Sequence, residues 1–442
     1  MVLASGMAFL DGSIVGLALP AIDRDLDVGL VGLQWIVTGY TLALASLILV
    51  AGSLGDHLGR RRVFVVGVVW FGVSSVLCAV APTGEVLVAA RVLQGIGGAL
   101  LTPGSLAIIS ASIDPADRGR AIGIWSGLAG ITTAIGPLVG GWLVDAVGWR
   151  AVFWINVPLV LATVWIALGH VPESRGAQER LDLLGAGFTV VALSLLTFGL
   201  VDESWWIAGA GVLVGVLFVV HQVRAPHALV PMSLFADRVF SAANLSTFAI
   251  YAALSGSMFL LVLQLQYVAG YGPIEAGLAT LPATVLMLLF SGRAGAWGDR
   301  VGPRLPLTVG PLVAAVGLLL YLRIDTDAGW WLDVMPGAVV FGVGLTMLVA
   351  PLTSAVIVAA PADETGIASG VNNAVARTAG LLAVAAIPPL AGITGPDFAQ
   401  PDVFGPGFRA GTLMCVALLG VAAACSAVLL RSRDGGHPAT VG

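Results

Sequence analysis

The chain has 442 residues, of which 58% are hydrophobic and only 10% charged, whereas about a quarter of the residues in soluble domains are charged; its composition is that of an integral membrane protein. The formal net charge of −5 is spread over short connections with no run of like charge, which argues against a nucleic-acid partner and against a polybasic lipid anchor. All 20 basic side chains are arginine, so the lysine of a phosphate-binding loop is missing and the chain carries no ATPase of that kind.

In chain order, apolar runs of roughly 20 residues, the length that crosses the hydrocarbon, occur near 2–20, 31–54, 63–81, 86–110, 120–144, 150–169, 183–201, 205–221, 240–267, 273–296, 305–323, 332–358, 365–391 and 408–430. These fourteen runs are continuous rather than alternating, so membrane β-strands are not expected and the fold class is all-α. The first run begins at Met1 with no charged tail before it. A cleaved signal peptide is not expected there, because a positive n-region is missing and Asp11 would sit in the apolar core. Cys78, Cys415 and Cys425 all fall inside apolar runs and read as small buried hydrophobes rather than a disulfide framework.

A ten-residue pattern occurs twice. Residues 52–61 read GSLGDHLGRR and residues 295–304 read GAWGDRVGPR, 243 positions later. The copies share Gly52/Gly295, Gly55/Gly298, Asp56/Asp299, Gly59/Gly302 and Arg61/Arg304, each between two apolar runs, as in transporters built from two related halves. The offset is longer than six spans require, and residues 181–225 hold two spans. The expected architecture is therefore a six-helix bundle at 1–175, a two-helix insert at 181–225 and a second six-helix bundle at 236–432.

Arginine placement supports this count. With the N-terminus in the cytoplasm, inward loops hold Arg60, Arg61, Arg62, Arg118, Arg120, Arg175, Arg180, Arg224, Arg238, Arg300, Arg304, Arg431 and Arg433. Outward loops keep Arg24, Arg150 and Arg409, with Arg323 at an outer boundary. This asymmetry predicts a multi-pass protein with both termini cytoplasmic. The bias to Arg, Ala, Gly and Val suggests a GC-rich bacterial genome, hence a bacterial plasma (inner) membrane.

The hairpin at 52–62 resembles the loop 2–3 signature of the major facilitator superfamily. Residues 9–20, FLDGSIVGLALP, resemble the first-helix signature of its fourteen-span drug:proton antiporters. Residues 34–40 (QWIVTGY), 91–104 (RVLQGIGGALLTPG), 149–158 (WRAVFWINVP) and 369–377 (SGVNNAVAR) are similar to further motifs of that family's EmrB/QacA-like subgroup. The resemblance implies two pseudo-symmetric bundles, small-molecule cargo, proton coupling, no cofactor and a monomer. It also implies an antiporter helix bearing Gly123, Gly136, Pro137, Gly140 and Gly141, with Thr132 where a glycine is usual. The hairpin residues Gly52, Gly55, Asp56, Gly59, Arg60 and Arg61, with Asp299 and Arg304, become a conformational latch. By resemblance, Asp56 meets the start of the thirteenth span, near 363–367, in the outward-facing state.

Intramembrane ionisable groups are costly and functional by default. Asp11 is the one acid near the middle of a predicted span, while Arg91 and Arg377 lie inside the fourth and thirteenth spans. Burial raises a carboxyl pKa and a nearby arginine lowers it, so Asp11 tuned by Arg91 is the expected proton site. An alternative reading of the two is a permanent ion pair holding two helices together. Gln34, Trp35, Tyr40, Gln94, Trp125, Asn156, Tyr251, Gln264, Gln266 and Arg377 are the candidate pocket groups, aromatic planes with sparse polar contacts suiting amphipathic compounds. One core acid against two arginines favours neutral, zwitterionic, monovalent or anionic cargo over dications. The expected function is proton-coupled export of small amphipathic compounds such as drugs or antibiotics. The alternative is export or facilitated movement of an endogenous metabolite. An enzyme is not expected: no Ser/His/Asp set, metal cluster or nucleotide loop is seen.

Overall fold

The structure, a computed structural model, describes residues 2–112, 132, 135–176, 182–226, 228–361 and 364–430. Every regular element among them is helical. The helices are α1 (Val2–Leu26), α2 (Gly29–Leu58), α3 (Arg60–Ala79), α4 (Gly84–Ser112), α5 (Ile135–Ala146), α6 (Ala151–His170, broken at Ile155), α7 (Leu183–Val201) and α8 (Trp205–Arg224). After a short 3-10 turn come α9 (Arg238–Val268), α10 (Pro273–Val301), α11 (Arg304–Tyr321), α12 (Trp330–Ala359), α13 (Thr365–Leu390) and α14 (Pro401–Leu429). Thirteen of the described helices are long and apolar enough to cross a membrane, and α5 is a shorter apolar helix. The expected fifth span begins outside the described residues, so Gly123 and Trp125 lie outside them too.

Helix ends differ from the apolar runs where polar residues continue a helix. α1 runs past Pro20 to Leu26, and α14 starts at Pro401 rather than at 408, because proline at the first helical position has no N–H to leave unpaired. Carboxylates cap other starts. Asp182 accepts from the Gly185 N–H at 2.8 Å before α7, and Asp237 from the Val239 and Phe240 N–H groups at 2.8 and 2.9 Å before α9. At these two starts backbone donors of the first turn are thus satisfied.

The repeat seen in the sequence is also a repeat of packing. α4 packs on α2 and α3, and α12 packs on α10 and α11 in the same way. Gly67 and Gly310 stand at the same offset as the two hairpins, and each lets a helix approach its neighbour closely: Gly67 meets the backbone at Leu100 and Leu101, Gly310 the Gly344 carbonyl and Leu348. α7 and α8 pack on each other, and α7 also contacts α2 and α13. The outer face of α8, with Trp206, Leu213 and Val223, is exposed and apolar, as a lipid-facing helix requires.

Helices α1 to α6 meet α9 to α14 along α2 and α13 and, at the end opposite the hairpins, through polar contacts as well. There Gln266 Nε2 donates to the Leu17 carbonyl (3.0 Å), Tyr267 Oη to Asp23 (2.8 Å), and the Ile274 N–H to Asp145 (3.2 Å). A Cβ on Gly141 would fall 2.7 Å from the Ile274 Cα, so α5 and α10 are in backbone contact. Gly277 likewise faces the Pro137 carbonyl. Of the residues expected on an antiporter helix, Gly136 lies against Ser13 and Gly140 against Ile14, both on α1. Small residues permit this close approach between helices in a membrane.

Candidate functional site

A fully buried polar cluster lies inside the first six helices. Asp11, in α1, has no exposed surface, and Arg91, in α4, is 2% exposed. Arg91 Nη1 donates to Asp11 Oδ2 at 2.6 Å and to Gln94 Oε1 at 2.5 Å, and Arg91 Nε donates to the Ile36 carbonyl at 3.1 Å. Gln94 Nε2 donates to Asp11 Oδ1 at 2.9 Å, so both oxygens of the carboxylate are engaged. Arg91 and Gln94 are three residues apart and therefore share a helix face.

The cluster continues outward. The guanidinium lies 4.4 Å from the centre of the Tyr40 ring and 5.8 Å from that of Phe153, cation–π contacts that count for more away from water. Ser75 accepts from Gln94 and from Asn156 Nδ2 (2.9 Å) and donates to the Phe153 carbonyl (3.0 Å). Asn156 Oδ1 is buried with no hydrogen-bond partner. Five helices thus contribute to one network centred on a single carboxylate.

The candidate pocket residues divide. Tyr40, Gln94 and Asn156 belong to the Asp11 cluster. Arg377 is half-buried midway along α13, and Tyr251 is half-buried on α9. The remaining four described residues are engaged elsewhere, Gln266 with the Leu17 carbonyl as given above. Trp35 packs on Phe198 of α7 at 6.2 Å between ring centres, and Gln264 donates to the Ile324 carbonyl at 2.8 Å. Gln34 Nε2 donates to the carbonyls of Val384 and Ala385 at 2.8 and 3.2 Å. Those are the acceptors that residues 388 and 389 would bond in an unbroken helix, and both positions are proline, which has no N–H. Gln34 therefore supplies the missing donor and ties α2 to α13.

Both hairpins turn on a glycine with positive φ. Gly59 has φ of 110° and Gly302 of 80°, the left-handed region that glycine enters without a Cβ clash. In the first, Asp56 Oδ1 accepts from Arg60 Nε at 2.7 Å. Its other neighbours come from the segment after α6: the Arg60 N–H donates to the Ser174 carbonyl (2.9 Å) and the Gly176 N–H to the Asp56 carbonyl (3.3 Å). Glu173 accepts from the Arg61 N–H (3.0 Å) and lies 3.9 and 3.7 Å from the Arg61 and Arg62 side chains. Gly52 faces Pro103, and Gly55 lies near Arg60. Asp299 lies 3.5 Å from Ser354 Oγ in the second hairpin, and Arg304 opens α11. Glu173 was not foreseen from the sequence; three consecutive arginines call for an anion, but the acid that answers them is more than a hundred positions away.

Comparison with known proteins gives a consistent picture. A family model described as Major Facilitator Superfamily matches residues 1–385 and, in a second match, 243–440. The chain is 35% identical, over 86% of its length and 73% of the relative's, to the tetracenomycin C resistance and export protein of Streptomyces glaucescens. It is 35% identical to the multidrug resistance protein Stp of Mycobacterium tuberculosis, over 83% of this chain and 70% of that one. The probable actinorhodin transporter of Streptomyces coelicolor is 36% identical over 86% of this chain and 69% of its own. The fold matches a crystal structure of a D-xylose–proton symporter, with a TM-score of 0.70, 16% identity and 98% of each chain covered. It also matches an inward-facing, unoccupied bacterial homologue of the lysosomal transporter Spinster, with a TM-score of 0.68, 16% identity, and 97% of this chain and 95% of that one covered.

Proposed function

The chain belongs to the major facilitator superfamily, and on that premise we propose that it is a proton-coupled exporter of small amphipathic compounds such as drugs or antibiotics. Its relatives named as resistance and export proteins support the direction of transport. The observation that carries the coupling is the fully buried Asp11 held by Arg91 at 2.6 Å. In this reading the protein is a fourteen-span member of the drug:proton antiporters, with bundles at 1–175 and 236–432 and an insert at 181–225. It is a monomer in the bacterial plasma membrane, with both termini and the hairpins on the cytoplasmic side.

With that orientation, the contacts from Gln34, Gln266, Tyr267 and Ile274 close the outer end, and the arrangement is inward-facing. Cargo enters from the cytoplasm onto the face that includes Tyr40, Tyr251 and Arg377. The bundles then rock. Asp56 exchanges its neighbours in the 173–176 segment for the start of α13, and Gly136, Pro137, Gly140 and Gly141 part from α1 and α10. In the outward-facing state Asp11 takes a proton, its hold on Arg91 weakens, and cargo leaves. Return to the cytoplasmic side releases the proton.

The driving force is adequate. A charge crossing about 150 mV gains roughly 3.5 kcal/mol, which sustains a gradient of a few hundredfold for a neutral compound at one proton per cycle. Efflux from a pump-deficient bacterium expressing the chain, across a panel of compounds and with an uncoupler control, tests the proposal. Uncoupler-sensitive loss of cell-associated compound is expected; inward accumulation, or efflux that ignores the uncoupler, would refute it.

A further inference from the structure

We propose that the helix pair α7–α8 moves as one body with α9 to α14 and slides over α2, keeping the α2/α13 side of the molecule covered in both transport states; this rests on the rocking of the two sets of helices proposed above, and not on the proton or the cargo. α7 touches both sets. It packs on α2 and on α13, and midway along it Leu193 shares one small apolar cluster with Ala45 of α2 and Leu381 of α13. Toward its C-terminal end the Phe198 ring meets Trp35 of α2 at 6.2 Å between centres. The helix therefore lies across the line along which α2 and α13 move past one another when the sets rock, and it can keep its place on only one of them.

Its bonds on the two sides differ in kind. Among the described residues, no hydrogen bond or ion pair joins α7 or α8 to α1–α6, and the contact with α2 is made by apolar side chains. Toward the second set the pair is fastened by polar groups. Asp182, at the start of α7, accepts from Gln222 Nε2 at 2.8 Å and lies 2.8 Å from His221 Nε2, both on α8. Gln222, only 2% exposed, turns its Oε1 to the Val230 N–H at 3.1 Å. The segment beyond Val230 is held to α9 by Ser241 Oγ, which donates to the Phe235 carbonyl at 2.6 Å, and by the edge-on packing of Phe235 on Phe240. The contact of α7 with α13 is apolar too, but α13 packs on α9, to which the pair is tied.

Lipid chains are as apolar as leucine, so one apolar contact between helices is exchanged for another at little cost, whereas a buried hydrogen bond given up there leaves its groups unpaired. The contact with α2 is thus the one that gives way. Gly199 meets the backbone of Ala208 and Gly211 that of Leu196, which locks α7 and α8 into a unit. Thr197 stands one turn after Leu193 and on the same face. It has no exposed surface, and its hydroxyl has no partner, a cost that an interface with a single fixed register would carry permanently.

Distances between spin labels on the purified full chain in nanodiscs test this, in a cysteine-free background with the outer end opened by Gly141→Leu. Three pairs of exposed positions are labelled: Val80→Cys/Trp331→Cys across the outer end, Leu213→Cys/Val66→Cys from α8 to the first set, and Leu213→Cys/Val421→Cys from α8 to the second. The outer pair should separate, the Leu213–Val66 distance should change by about 5 Å, one helix turn, and the Leu213–Val421 distance should stay as it was. A cross-link between Leu193→Cys and Leu381→Cys should leave the outer response intact, and one between Leu193→Cys and Ala45→Cys should block it. With the outer pair separated, a Leu213–Val421 distance that changes, or a Leu213–Val66 distance that does not, would overturn the proposal while leaving the rocking of the sets in place. If Gly141→Leu does not fold, Gln34→Leu takes its role; an outer pair that answers neither variant would refute the rocking itself, and this inference with it.

Discussion

Replacing Asp11 by asparagine separates a proton switch from a static tie between helices. The change removes the anion bonded to Arg91 at 2.6 Å in a site where both side chains are buried. Removing one member of a buried pair costs about 3–5 kcal/mol, because the other charge remains in a medium of low polarity. Here Arg91 keeps the Ile36 carbonyl, Gln94 Oε1 and the rings of Tyr40 and Phe153. Desolvated cation–π contacts contribute about 2 kcal/mol, so the loss should fall near the lower end, about 3 kcal/mol. The double variant Asp11→Asn/Arg91→Gln carries no stranded charge and should recover most of that stability in thermal unfolding of the purified protein. It should not recover substrate-driven proton movement in proteoliposomes. A double variant that still moves protons with cargo would refute the assignment of the proton to Asp11, and the static tie would then be the better reading.

Further expectations concern the two ends of the molecule. Gln34→Leu leaves the Val384 and Ala385 carbonyls without their donor, which should cost about 1–3 kcal/mol and raise labelling from outside of a cysteine placed by Leu17→Cys in a cysteine-free background. Gly141→Leu puts a side chain into the backbone of Ile274; the outer end should then fail to close, with transport lost and the same label raised. Glu173→Gln should alter stability by no more than about 1 kcal/mol, since Arg61 is partly exposed and Arg62 exposed. It should nevertheless shift the chain toward the outward-facing state, and unchanged labelling would contradict the exchange of partners proposed for the first hairpin. Asp182, just before α7, is pushed up by burial, but hydrogen bonds from the Gly185 N–H, His221 and Gln222 outweigh this and hold it below its ordinary value of 3.8. A depressed carboxyl stabilises the fold above its ordinary pKa, and that contribution is lost as pH falls through the lower folded value. Between about pH 5 and about pH 3, the melting temperature of the unaltered chain should therefore fall more steeply than that of Asp182→Asn.

Features governed by local physics were the legible ones. The spans could be read because each backbone polar group in a membrane must be paired within its own helix, which demands long apolar runs. Both hairpins could be read because a left-handed residue joins the helices at Gly59 and again at Gly302. Asp11 stood out because a carboxylate at mid-span is expensive. The fates of Gln34, Trp35 and Gln264 were not legible, since each partner belongs to a distant helix: Val384 and Ala385, Phe198, and Ile324. For Gln34 a signal did exist. Adjacent prolines at 388 and 389 orphan two carbonyls in an apolar span, and an amide elsewhere must answer them. Glu173 had only the weaker signal of the Arg60–Arg62 run.

The most direct test of the central claim is uphill cargo movement in proteoliposomes of the purified chain under an imposed proton gradient alone. The account predicts cargo accumulation against its own gradient, on the side from which protons are drawn, abolished by Asp11→Asn. Cargo that only equilibrates, at a rate indifferent to the proton gradient and to that substitution, would contradict it.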